Sequence, residues 1–64
     1  MDLGLIGYGE AAHVLAQGYH GAGVERIYAW SKVFLNDPAD AGAEKCATLA
    51  ELLKKSNVIL VLVP

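Results

Sequence analysis

The chain has 64 residues, with seven acidic against five basic side chains and a net charge of −2. That balance leaves no basic stripe for a phosphate backbone, which argues against nucleic acid as a partner. The longest apolar run, Val58 to Val63, falls well short of the ~20 residues that span a bilayer. The start, Met1-Asp2 and then apolar residues, has neither the positive charge nor the small-residue cleavage site of a signal peptide, so a cytoplasmic setting is expected. Cys46 is the lone cysteine, which excludes an intramolecular disulfide and any CxxC metal cage, and a buried or idle thiol is expected. Apolar content is 55% and charged content 19%. So apolar a chain of ~60 residues, at the lower edge of independent stability, is expected to be very compact or part of something larger.

Leu3 to Ile6 is apolar and suits a strand, interrupted by Gly4, and it runs into Gly7-Tyr8-Gly9. From Glu10 to about His20, Ala12, Leu15, Ala16 and Tyr19 recur at i, i+3, i+4 and i+7, one helical stripe. His13, Gln17 and His20 fall on the opposite side, where surface histidines too far apart to share a metal are expected. Gly21-Ala22-Gly23 predicts the helix stop. Val24 to Trp30, rich in β-formers, predicts a second strand.

In the stretch Ser31 to Lys45, Asp37 suits a cap and Pro38 a first helical position, while Gly42 leaves room for about one turn. Thr48-Leu49-Ala50-Glu51 is a capping box, opening a helix that ends near Ser56, with Lys54 and Lys55 at its negative end. Val58 to Val63 then reads as a strand buried on both faces, as in the middle of a parallel sheet. Strands alternating with helices define an α/β chain of right-handed βαβ units. Taking the last strand as the third, with order 3-2-1, puts both helices on one face and leaves the other face and an edge of strand one uncovered. Such a chain is expected to be unfinished and to associate or aggregate when alone.

Gly7-Tyr8-Gly9-Glu10-Ala11-Ala12 fits GxGxxA between a strand and a helix. The first glycine permits the turn, the second admits a pyrophosphate to the backbone, and Ala12 lets helix and strand pack closely. Helix-start amides then face the phosphates. Glu10 suits the helix dipole but would repel a phosphate unless it points outward. About 20 residues on, a dinucleotide site needs a group to read the ribose, acidic for NAD. Here Ser31 stands 24 positions past Gly7 and is followed by Lys32. A hydroxyl and a cation suit the 2′-phosphate of NADP, so NADP is favoured over NAD. Asp37 lies too far along the loop to be the ribose acid by spacing. Tyr19 and Trp30 are expected as core or sheet-edge aromatics. No catalytic set and no metal-ligand cluster can be assembled from spacing.

Leu3 to Ala12 resembles the opening of the β-hydroxyacid dehydrogenases, which include the 3-hydroxyisobutyrate and 6-phosphogluconate dehydrogenases. The branch whose glycine loop reads Gly-aromatic-Gly-Glu-Ala-Ala is the nearest match, and Thr48 to Pro64 is similar to that family's third-strand region. The resemblance covers nearly the whole chain but only the N-terminal part of such an enzyme. It implies a Rossmann-type parallel sheet, the βαβαβ half of a doubly wound domain. It also implies a cofactor loop at Gly7, Tyr8, Gly9, Glu10, Ala11 and Ala12. The ribose-phosphate reader falls on Ser31, Lys32 and Val33, and a contact after the last strand on Val63 and Pro64.

Two departures stand out: Pro38 interrupts a shortened segment from Ser31 to Gly42, and Ser-Lys replaces Asn-Arg. Lysine gives a weaker grip on phosphate than bidentate arginine. The family's catalytic lysine and substrate-binding residues have no counterpart within these 64 positions. The implied activity is hydride transfer between nicotinamide and a hydroxyacid-like small molecule bound by a C-terminal domain, in a homo-oligomer. Two other readings share the loop. One is an imine reductase like pyrroline-5-carboxylate reductase. The other is a non-enzymatic nucleotide-sensing module, which usually carries an acid where Ser31-Lys32 stands.

Overall fold

A computed structural model of the chain describes residues 1–19, 23–34 and 36–62. In order come β1 (Asp2–Ile6), α1 (Glu10–Tyr19), β2 (Arg26–Trp30), a 3₁₀ turn (Pro38–Ala41), β3 (Glu44–Lys45), α2 (Leu49–Lys55) and β4 (Val58–Val61). The four strands form one all-parallel sheet in the order β3-β2-β1-β4. The chain is therefore a small α/β fold.

Most elements form where local chemistry dictates. The Asp37 carboxylate accepts from the Ala39 amide at 3.0 Å, Pro38 opens the turn, and Gly42 closes it at φ 73°. Thr48 Oγ1 accepts from the Glu51 amide at 3.1 Å and starts α2. The Glu51 carboxylate does not close the box but pairs with Lys55 one turn on, at 3.2 Å. Helix α1 buries Ala12 and Ala16, with Tyr19 packed beside them, whereas Leu15 of the expected stripe is half-buried and outside the core clusters. The second strand begins two residues later than expected, at Arg26, with an isolated bridge at Val24. Of the expected stop at 21–23, Gly23 has φ 81°, while Gly21, Ala22 and the expected last helical residue, His20, lie outside the described residues.

The expected sheet topology is corrected. Strand β1 is not at an edge: it pairs β2 through Asp2–Ile6 on one side and β4 through Leu3–Ile6 on the other. The edges are β3 and β4. Alternate residues of the strands divide the core between two faces. Leu3, Leu5, Ile27 and Ala29 pack under α1 and the 3₁₀ turn, together with Ala12, Ala16, Ala41 and Leu60. Tyr28, Ile6, Trp30 and Ile59 pack with Leu49 and Leu52 of α2 and with Cys46 on the other face. The helices therefore lie on opposite faces, and neither face is bare.

The reason is β3, a two-residue strand of exposed, charged Glu44 and Lys45 that no apolar pattern announces. It takes the third place beside β2, so the last strand becomes the fourth. The chain crosses back over β1 to reach that place, and α2 is carried to the far face. Exposed apolar surface remains on β4 itself, where Val58 and Val61 are 42% and 62% exposed. The strand expected to be buried on both faces is an edge of this sheet.

Candidate functional site

Everything that could bind at the glycine loop lies at the carboxyl ends of parallel strands. The amide of Gly7 donates to the Trp30 carbonyl at 2.8 Å, and the amide of Leu62 donates to the Ile6 carbonyl at 2.8 Å. These two bonds bring together the ends of β2, β1 and β4. Connections leave β1 toward β2 and return past it to β4, so the strand order reverses between β1 and β4. In open parallel sheets, that reversal leaves a crevice outside the strand ends.

Each loop glycine has its own reason. Gly7 adopts φ 92°, in the left-handed region that side chains resist. Gly9 is different: a Cβ built there would meet nothing within 4 Å. The protein's own packing therefore does not require a glycine at this position, and the space beside its backbone is open. The Gly9 carbonyl accepts the first α1 hydrogen bond, from the His13 amide at 3.1 Å. The amides of the first helical turn, Glu10 to Ala12, have no carbonyl behind them within the helix and are free to meet an acceptor. Ala12 is buried against the sheet, whereas Ala11 is exposed.

Tyr8 points inward. Its ring is 1% exposed, lies 5.9 Å from the Phe34 ring, and meets the His13 ring edge-on at 5.5 Å. Its hydroxyl lies 2.8 Å from His13 Nδ1. Burial pushes the phenol pKa up, and the charges of Asp37 and Asp40 push it further, so the group stays protonated. Tyr8 is buried as a whole residue, and within the loop it is the half-buried Gly9 that reaches the surface. His13, expected as a surface histidine, is instead half-buried and tied to this phenol. The sequence pattern did not show this, because a stripe analysis counts the apolar face and not what a loop side chain can reach.

Glu10 is exposed. Its Oε2 accepts from Asn36 Nδ2 at 3.2 Å, so the carboxylate bridges to the segment after β2. Beyond β2, the Ser31 hydroxyl donates to the Val33 carbonyl at 2.8 Å and is spent within its own turn. Lys32 and Val33 are exposed. Val63 and Pro64, the expected contact after the last strand, lie outside the described residues.

The spacing did not single out Phe34, Asn36 or Lys45 as neighbours of the loop. With Asp37 and Pro38 they line an open cleft of about 370 Å³. On the other face, ligand atoms of Glu44, Cys46 and Glu51 lie within 4.8 Å of one another. The Lys55 ammonium joins the two carboxylates at 2.9 and 3.2 Å, so each carboxylate already has the same cation beside it. Among the described residues, no helix is long and apolar enough to cross a membrane. Comparison with family models, curated proteins and solved structures returns no match.

Proposed function

We propose that residues 1–64 form the NADP(H)-binding segment of an oxidoreductase that moves a hydride between nicotinamide and a hydroxyacid-like substrate. The sheet is then the first half of a Rossmann-type domain, and its strand order β3-β2-β1-β4 is the order that fold uses. Gly9 carries the reading. Gly18 and Gly23 are equally open, but Gly9 alone of the three stands at the start of a ten-residue helix, just after the left-handed turn at Gly7, and that placement supports a ligand that comes up to the backbone. The open space fits a pyrophosphate, received by amides of the first turn of α1, with the crevice between β1 and β4 extending away from it.

NADP(H) would supply the hydride, and this chain's part is to hold the cofactor. No side chain among the described residues is assigned as a general acid or base. Exposed Lys32 at the end of β2 supports NADP over NAD by charge, while Ser31 contributes a turn rather than a free donor. The test is titration with NADPH and NADH, followed by nicotinamide fluorescence with Trp30 as energy donor. NADPH is expected to bind at least ~10-fold more tightly, about 1.4 kcal/mol. Absence of saturable binding of either dinucleotide overturns the reading.

A further inference from the structure

In the loop after β2 the Ser31 hydroxyl is engaged with Val33, which leaves exposed Lys32 as that loop's group for the 2′-phosphate of NADP. A second cation lies close by in space. Lys45 belongs to β3, paired with Ala29 one residue before the end of β2. Its ammonium sits 4.5 Å from the centre of the Phe34 ring, and that ring packs against Tyr8 of the glycine loop. Among the described residues the ion pairs engage Met1, Glu25, Glu44, Glu51 and Lys55, and leave Lys45 without a carboxylate within 4.0 Å. The ring fixes where the charge is held without neutralising it.

Lys45 and Phe34 line the 370 Å³ cleft together with Asn36, Asp37 and Pro38. The cleft is joined to the glycine loop through the Asn36–Glu10 hydrogen bond. Its chemistry is mixed: one cation, one amide, one carboxylate and an aromatic wall. Asp37 uses one oxygen to cap the 3₁₀ turn. A plain phosphate would be repelled by that carboxylate, but a phosphorylated ribose would not be misplaced, because its remaining hydroxyl can donate to it.

We infer that this cleft takes the 2′-phosphoribose of NADP(H), with Lys45 as the cation that receives the phosphate and Asp37 as the acceptor for the neighbouring 3′-hydroxyl. The inference rests on the NADP(H) reading above. It makes Lys45, not Lys32 alone, the residue that separates NADP from NAD.

The test replaces the charge while keeping the cover over Phe34. Lys45→Met is expected to weaken NADPH ~10-fold and leave NADH unchanged, so that the preference collapses, with 2′,5′-ADP weakened and 5′-AMP not. Lys45→Arg restores the preference. A merely structural role for Lys45 would move NADPH and NADH together. Far-UV circular dichroism on the exposed Lys45→Met variant checks the fold, and Lys45→Gln serves as a second neutral variant. Unchanged NADPH preference in folded Lys45→Met or Lys45→Gln protein overturns the assignment while leaving the NADP(H) reading intact. Failure of the unaltered protein to bind either dinucleotide overturns both.

Discussion

The hydroxyl of Tyr8 and Nδ1 of His13 lie 2.8 Å apart, joining the middle of the glycine loop to the first turn of α1. The phenol is held neutral by burial, so it donates to Nδ1 when the imidazole carries its own hydrogen on Nε2. The loop is thereby anchored from inside by a side chain, and its surface begins at half-buried Gly9 and exposed Glu10. Tyr8→Phe keeps the ring between His13 and Phe34 and removes only the bond. It is expected to cost about 1 kcal/mol of stability in urea denaturation. An unchanged midpoint would mean that the bond contributes nothing to the folded loop.

Gly4 and Gly9 should respond oppositely to a methyl group. A Cβ on Gly4 would collide with Ser56 Oγ and stand 2.9 Å from Ser56 Cβ and 3.0 Å from Leu52 Cδ2, where the end of α2 lies on β1. Gly4→Ala is expected to destabilise the protein by ~1–3 kcal/mol, as overpacking does. Ser56→Gly in the same chain should recover part of the loss, read from denaturation midpoints of the two single variants and the double. Additive losses would show that the two residues do not compete for the same space.

Gly9→Val places its side chain in open space, so the protein should fold with little loss of stability. NADPH binding should nevertheless disappear, because the valine occupies the approach to the backbone. Circular dichroism and fluorescence titration on one sample give both halves of the result. Full NADPH affinity in folded Gly9→Val protein would remove the glycine loop from the site.

Cys46 is 1% exposed, and its thiol is pushed above its ordinary value of 9.0, first by burial and then by the Glu51 carboxylate. The folded state therefore holds the thiol proton more tightly than the unfolded chain does. Its contribution to stability is complete below pH 9.0 and is lost as pH rises through the higher folded value. Two outcomes are expected: a fall of stability at alkaline pH that is shallower in Cys46→Ala, and iodoacetamide labelling at pH 8 that proceeds only as fast as the protein opens. Rapid labelling of the native protein would contradict both.

Local signals in the chain determined most of the elements. The Thr48 cap, the Asp37-Pro38 turn closed by Gly42, the strand leading into Gly7 and the alanine stripe of α1 each depend on neighbours within a few residues. Hydrogen-bonding groups and backbone preferences at that range are written directly in residue order. Where the strands lie relative to one another is not. It was decided by two residues, Glu44 and Lys45, whose side chains are charged and exposed and whose place in the sheet comes from backbone bonds to β2.

That pairing sends β4 to the far side of β1 and α2 to the opposite face, which gives each face of the sheet a cover. The candidate site divides in the same way. Gly7 and Ala12 are legible because one contiguous turn must satisfy both backbone geometry and close packing, whereas Gly9 is legible only from the GxGxxA spacing. Phe34, Asn36 and Lys45 meet only across the folded sheet, through an aromatic contact, an amide bridge to Glu10 and a parallel strand pairing. No spacing in a single chain encodes contacts of that kind, because they arise from where separate segments are brought by the packing of the whole.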